Sequence, residues 1–185
     1  MCLVKRRRWT LEPFGFRRRG MQRGRAALVA AFLLAAPCGL VGAENLVIKP
    51  GLDYSDHNKK QGPLITGDHM DDGLVEGMPN YIFFYMEKCY NAKRQALITV
   101  HMYEKYKGRV HFVVVNLDKP MSQTQKTLKQ KYCAEVVPHE TVLDKKGTVV
   151  FDYTGETDQP TLDGWIDYAL RVSGGGEQPT RAANK

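Results

Sequence analysis

Cys89 is the residue whose surroundings best suit chemistry. It follows an apolar, aromatic run at 82–86, which is typical of a buried strand, and a segment with helical character comes next. A cysteine at a helix N-terminus is favoured as the thiolate by the helix dipole and the free backbone N–H groups. A dithiol site would need a second cysteine three residues later, but that position is Ala92. The pattern therefore predicts a redox site with a single thiol.

Cys133 is the other cysteine outside the first 43 residues. It ends a helix-like segment and precedes Pro138 by five residues. Two interpretations are open: it resolves disulfides formed at Cys89, or it is a small buried hydrophobic residue, the usual state of a free cysteine. A disulfide between the two requires Cα atoms within about 7 Å of each other.

The histidines do not indicate a metal site. They share no ligand spacing, and the chain has no Cys-x-x-Cys motif. We therefore expect solvated histidines, no metal and no cofactor. The residues concerned are His57, His69, His101, His111 and His139.

Positive charge is concentrated at the start of the chain. The 185 residues carry a formal net charge of +7, and residues 1–43 alone hold nine Lys/Arg and one acidic residue, a net of +8. The remaining 142 residues hold 18 basic and 19 acidic side chains, a net of −1. Nucleic-acid binding by the rest of the chain therefore has no electrostatic basis.

Residues 1–43 resemble an export signal. Arg23 and Arg25 precede an apolar run at 26–36, and Val41-Gly42-Ala43 offers small residues for cleavage. Met21 would give a signal of conventional length. The run is shorter than the roughly 20 apolar residues of a membrane span. We expect a periplasmic or extracytoplasmic protein, with anchoring through residues 26–42 as the alternative if the signal is not cleaved.

The rest of the chain alternates between strand and helix patterns. A lead-in at 44–78 contains one short strand at 46–48, a domain follows at 79–172, and a polar, disordered tail occupies 173–185. We predict strands at 81–86, 111–117, 140–143 and 149–153, helices at 92–106 and 122–132, and a last helix capped by Thr161. Strands separated by helices, followed by a hairpin, predict an α/β fold with a central mixed sheet and helices on both faces.

This order, with a cysteine after the first core strand and Val137-Pro138 before the hairpin, resembles the thioredoxin family over about residues 79–171. The stretch at 85–93 lies where the family carries Trp-Cys-x-x-Cys-Lys, and Val137-Pro138 lies where it carries a cis-proline. Asn116-Leu117-Asp118, the turn at 144–147 and Gly155 also match. The resemblance implies the thioredoxin fold.

The resemblance also implies roles for particular residues. Cys89 would be the catalytic nucleophile, and Tyr90, Asn91, Val137 and Pro138 would bind the substrate. The backbone of Val137 could pair with an extended substrate strand. Tyr90 and Asn91 are equally consistent with ordinary turn residues. The end of the helix before Cys133 should lie away from the Cys89 loop, which favours a buried Cys133.

Four departures from the family pattern bear on function. Ala92 replaces the resolving cysteine, and Lys88 replaces the tryptophan before the nucleophile. Phe83 occupies the position of a buried acid that relays protons in many members, and Leu97 that of a helix-kinking proline. Without a second thiol, a mixed disulfide on Cys89 persists until an outside thiol attacks it.

Two functions are consistent with these patterns. The first is an exported thioredoxin-like protein that exchanges thiols and disulfides with other extracytoplasmic proteins, and with a membrane redox partner, through Cys89 alone. The second is a non-catalytic module that uses the same fold for protein interaction and has lost redox activity.

Overall fold

The computed structural model describes residues 42–56, 62–133 and 135–172. Most of the predicted leader and all of the predicted tail lie outside these ranges. Within them, no helix combines the length and the apolar character that crossing a membrane requires.

Six strands and three helices make up the described part of the chain. They are β1 (Glu44–Ile48), β2 (Ile65–Asp68), β3 (Asn80–Tyr85), α1 (Tyr90–Tyr106), β4 (His111–Asn116), α2 (Gln123–Tyr132), β5 (His139–Leu143), β6 (Val149–Thr154) and α3 (Gln159–Arg171).

The central sheet has the strand order β4-β3-β5-β6. Strands β3 and β4 are parallel, with α1 as their crossover, whereas β5 is antiparallel to both β3 and β6. Phe83, in the middle of β3, lies opposite Val114 on one side and Glu140 on the other. The expected mixed sheet is confirmed. Strand β3 is central in it because all of its residues are buried, which requires a neighbouring strand on each side and helices on both faces.

Two apolar clusters cover the two faces of this sheet. The first contains Tyr81, Phe83 and Tyr85 of β3 together with residues of α1 and α3. The second contains Ile82 and Phe84 of β3 together with residues of α2. Successive side chains of a strand point to opposite faces, so we call these the α1/α3 face and the α2 face.

The lead-in contains more structure than its sequence indicated. Strand β1 covers the predicted segment at 46–48, but it pairs with β2, which was not predicted. The pair packs beside α1: the Asn45 N–H donates to the Tyr103 hydroxyl (2.8 Å), and the Leu64 N–H donates to that of Tyr85 (3.2 Å). Strand β2 has only four residues and includes Gly67 and Asp68, which strands disfavour, so its existence depends on tertiary contacts.

The start of the last helix was predicted wrongly. The N-cap of α3 is Asp158, whose Oδ1 accepts a hydrogen bond from the Thr161 N–H (2.8 Å), and Thr161 already lies inside the helix. Pro160 explains the earlier start, since its fixed φ suits the first turn of a helix. Helix α2 begins as expected, because Ser122 and Gln125 form a reciprocal capping box.

Candidate thiol site

Cys89 occupies the N-cap of α1 and is half-buried. Its carbonyl oxygen accepts the Lys93 N–H (3.0 Å), the first hydrogen bond of the helix. No side-chain hydrogen bond caps this helix, and its first turn contains no acidic residue. The positive end of the helix dipole and the N–H groups of the first turn therefore lie beside the thiol, where they favour an anion.

The Val137-Pro138 peptide bond is cis, as the resemblance to the thioredoxin family implied. The Cys89 Sγ lies 3.5 Å from the Val137 carbonyl oxygen, a distance at which the thiol donates a weak hydrogen bond. The fold thus brings together two predicted site segments that are 48 residues apart in sequence. Met86 and Val136, which are close in sequence to Cys89 and Val137, expose apolar side chains to solvent.

Tyr90 and Asn91 are not loop residues, because they are the first two residues of α1. The Arg94 guanidinium lies 5.6 Å from the centre of the Tyr90 ring and is paired with Glu156 at 2.8 Å. Asn91 is exposed. Ala92 is fully buried in the core, so this position presents a methyl group to the protein interior.

The loop that leads into Cys89 is anchored to the end of β4. The Glu87 N–H donates to Asp118 Oδ2 (2.7 Å), and the Asn116 side-chain amide donates to Glu87 Oε1 (2.9 Å). Lys119 lies 3.5 Å from the same carboxylate oxygen, and Glu87 is buried. Sequence reasoning did not assign Glu87 to the site, although Asn116 and Asp118 belonged to a recognised motif.

One curated relative is similar to this chain in sequence. The chain is 26% identical over 107 residues to the thioredoxin-like protein HCF164, chloroplastic, of Oryza sativa subsp. japonica. The domain is similar to thioredoxin-like proteins. The match covers 58% of this chain and 39% of the relative, so the chain spans about two fifths of the length of the protein that it matches.

Solved structures show further similarity to this thioredoxin-like chain. One is a thioredoxin-like protein from Clostridium perfringens, with 19% identity, a TM-score of 0.45 and coverage of 52% of this chain and 75% of that one. Another is StoA from Bacillus subtilis, with 18% identity, a TM-score of 0.43 and coverage of 49% and 84%. No family model matches the chain. A thioredoxin-like domain suggests thiol–disulfide chemistry in general.

A buried carboxyl group lies on the α1/α3 face of this thioredoxin-like domain, and sequence reasoning missed it. Glu140 is 0% exposed, and its Oε1 accepts hydrogen bonds from the Tyr81 hydroxyl (2.5 Å) and the Gln95 amide (2.6 Å). Its Oε2 and the Thr157 hydroxyl have no hydrogen-bond partner in the described ranges. Glu140 lies directly across from Phe83, the position where the resemblance led us to look for an acid.

Burial raises the pKa of Glu140 from 4.5 to about 7, while the neighbouring Thr157, Tyr81 and Gln95 side chains act in the opposite direction. Desolvation dominates because the hydrogen bonds to the carboxyl group come from neutral donors. At neutral pH the group therefore lies near the midpoint of its titration.

A buried lysine connects α1 to the lead-in. Lys93 is 1% exposed, and its ammonium donates to the Asp56 carbonyl oxygen (2.7 Å). Lys93 is the fourth residue of α1. Its hydrogen bond therefore holds the backbone at Asp56 beside the start of the helix that Cys89 caps. A single lysine in a helix gives no sequence signal for burial, since lysine is rarely fully buried.

Cys133 lies in a different environment from Cys89. It is the C-cap of α2 and packs against the α2 face, whereas Cys89 packs against the α1/α3 face, and both are free thiols. Burial raises the pKa of Cys133 above its ordinary value. These observations agree with the expectation that Cys133 lies away from the Cys89 loop.

The expectation of solvated histidines is wrong for His111 and for His139, both of which are buried; His139 lies on β5. Its Nδ1 lies 2.7 Å from the Thr154 hydroxyl, and its Nε2 lies 2.9 Å from Asp152 Oδ1, so both ring nitrogens are engaged on the sheet. Among residues 42–56, 62–133 and 135–172, no group of three His, Cys, Asp or Glu side chains is arranged to hold a metal ion.

Proposed function

We propose that this chain is an exported thioredoxin-like protein in which Cys89 alone exchanges thiols and disulfides with other proteins. The observation that carries the proposal is the position of the Cys89 thiol, at the uncapped N-terminus of α1 and 3.5 Å from the Val137 carbonyl oxygen. A thiolate is the nucleophile in disulfide exchange, and this end of a helix favours it.

The reaction at such a site has two steps. The Cys89 thiolate attacks one sulfur of a partner disulfide, an S–S bond to Cys89 forms, and the other partner sulfur leaves as a thiolate. An external thiolate then attacks the mixed disulfide and releases Cys89. Ala92 cannot perform this second step, so the mixed disulfide has a long lifetime.

The partner would bind as an extended segment across the cis-proline. The backbone of Val137 is placed to pair with such a segment, and the exposed side chains of Met86 and Val136 offer apolar contacts beside it. The substrates in this proposal are thiols and disulfides of extracytoplasmic proteins, and no cofactor is required. Export, and anchoring through residues 26–42, belong to the same proposal.

One observation favours a second function, that of a non-catalytic interaction module. Ala92 is fully buried and its methyl group is part of the core, so the place of a resolving thiol has been given over to packing. A protein that has lost dithiol chemistry can retain the same surface for binding.

Covalent trapping distinguishes the two functions. The protein recovered from its own compartment, with free thiols blocked at lysis, should give higher-mass species on non-reducing gels that vanish with reductant. Cys89→Ser should abolish these species and Cys133→Ser, the matched control, should retain them. Partners that co-purify equally with Cys89→Ser would instead support the non-covalent module, and adducts that depend on Cys133 would contradict the assignment of Cys89.

A further inference from the structure

Some cations of this domain are paired with carboxylates and others are not. On α1, Arg94, Lys105 and Lys107 each lie within 2.8 Å of a carboxylate oxygen. Five lysines of α2 and the β5–β6 turn make no ion pair with any residue in the described ranges. They are Lys126, Lys129, Lys131, Lys145 and Lys146.

Three of these lysines surround a cleft of about 510 Å³. Lys131 comes from the last turn of α2, and Lys145 and Lys146 come from the β5–β6 turn. Apolar surface between them is supplied by Leu74, Val75 and Tyr132, and Glu76 is the only carboxylate of the lining. We call this region the basic cleft.

Hydrogen bonds fix both walls of the basic cleft. In the turn, Asp144 Oδ1 accepts the N–H groups of Lys146 (2.8 Å) and Thr148 (2.9 Å). On the opposite wall, the buried Asn80 side chain accepts the Val75 N–H and donates to the Val75 carbonyl oxygen, both at 2.9 Å. The backbones that carry the lysines and the apolar side chains are therefore held before any partner arrives, which lowers the entropic cost of binding.

We propose that the basic cleft is a docking site for an extended, acidic segment of a partner protein. Three ammonium groups against two carboxylates, Glu76 in the lining and Asp144 in the turn behind it, leave the cleft with a net positive charge, which acidic side chains would complement. The apolar surface of the cleft would be covered by at least one apolar side chain of the partner segment, placed among its acidic side chains. A concave site with an apolar floor suits a polypeptide better than it suits a flat membrane surface.

The basic cleft and Cys89 lie at opposite ends of β5. The strand begins at His139, directly after the cis-proline that contacts Cys89, and ends at Leu143, directly before the turn with the lysines. Five residues of strand span about 17 Å. A partner docked in the cleft leaves Cys89 accessible, so this proposal goes beyond the thiol chemistry and does not depend on it.

A titration of the full chain with a defined peptide tests the proposal. The probe is a twelve-residue peptide of glutamate and leucine, followed by the amide chemical shifts of the protein. Val75, Tyr132 and Gly147 should shift together with a single dissociation constant. Residue-level detection is needed because the arginines of residues 1–43 also attract acidic peptides, and their signals report that binding separately.

Charge reversal provides the matched comparison. The triple variant Lys131→Glu, Lys145→Glu, Lys146→Glu should weaken binding at the cleft by at least about tenfold. The control variant Lys49→Glu, Arg109→Glu, Arg171→Glu changes the net charge equally outside the cleft and should stay within about twofold.

Three results would overturn the docking site. Shifts confined to residues 1–43 would show that the peptide does not enter the cleft. Equal weakening in both triple variants would show unspecific attraction by net charge. Vesicles of anionic phospholipid that bind through the same three lysines, with no response to the peptide, would replace the protein partner by a membrane surface.

Discussion

The two faces of the central sheet each hold one free cysteine and one buried ionisable residue of β5, but in different surroundings. On the α1/α3 face, Cys89 begins a helix, and Glu140 accepts hydrogen bonds from neutral donors only. On the α2 face, Cys133 ends a helix, and His139 is engaged by Asp152 and Thr154. Adjacent residues of one strand thus enter opposite environments.

The comparison predicts that the position of a cysteine on its helix influences its reactivity. The start of a helix offers N–H groups and the positive end of the dipole, whereas its end offers carbonyl oxygens. Burial also raises the pKa of Cys133. The two cysteines therefore differ in helix position and in surroundings, and the predictions below test whether this difference makes Cys89 the more reactive thiol.

Restoring a second thiol should have the largest effect. Ala92→Cys places a cysteine three residues after Cys89 on the same helix, so the oxidised protein should contain a disulfide between positions 89 and 92. Reduction of insulin disulfides should rise from background by at least about tenfold, because an internal thiol resolves the mixed disulfide. Peptide mapping of the oxidised variant and an insulin turbidity assay are the measurements.

The control for this substitution lies one turn further along α1. Ala96 is also fully buried, but its Cα is about 10 Å along the helix axis from that of Cys89, beyond the reach of a disulfide. Ala96→Cys should therefore give neither the disulfide nor the activity. If Ala92→Cys behaves like Ala96→Cys, the geometry assigned to Cys89 is wrong.

The carboxyl group of the α1/α3 face should make stability depend on pH. The pKa of Glu140 is about 7 in the folded state, above its ordinary value of 4.5, so the folded state holds the proton more tightly than the unfolded state. Stability should fall as pH rises from 4.5 through 7, and the full difference corresponds to about 3 kcal/mol above pH 7.

Glu140→Gln should remove this dependence. The glutamine oxygen can still accept from Tyr81 and Gln95, and no charge is buried. We expect the variant to be more stable than the native chain at pH 8 by about 2–3 kcal/mol in urea unfolding. Asp71→Asn, at an exposed position, should keep the slope of the native chain. A native stability that is flat between pH 5 and 8 would contradict the titration assigned to Glu140.

The anchor of the Cys89 loop should have a smaller effect. Asp118→Ala leaves the buried Glu87 N–H without its acceptor, which should lower the free energy of unfolding by about 1–2 kcal/mol and slow alkylation of Cys89 about two- to fivefold. Asp152→Ala removes a carboxylate from the opposite face and should leave Cys89 alkylation unchanged. Equal rates in both variants would show that the anchor does not position the thiol.

Patterns of local character were predictable from the sequence. The aromatic run of β3, the valines of β4, the apolar stripe of α3 and the capping box at Ser122 each carry their own signal, and the structure agrees with them. The place of Cys89 between a strand and a helix was also predicted from the local pattern, whereas the cis-proline came from the resemblance. Residues whose role depends on contacts with residues far away in the sequence could not be recognised from a local sequence pattern.

Glu140, Lys93 and β2 illustrate what the sequence could not reveal. A glutamate in a short strand and a lysine in a helix are usually solvated, and only the fold shows that both are buried here. Strand β2 forms because β1 lies beside it, not because its own four residues favour a strand. The error at Thr161 arose because Asp158 offered an equally good cap one turn earlier.

The alkylation rates of the two cysteines in the native chain test the central claim most directly. Iodoacetamide at neutral pH, followed by peptide mapping that separates all four cysteines, gives each rate in one experiment. We predict that Cys89 reacts at least about tenfold faster than Cys133, because a helix N-terminus favours its thiolate and burial opposes that of Cys133. Equal rates, or a Cys89 that reacts only after denaturation, would contradict the assignment of Cys89 as the reactive thiol.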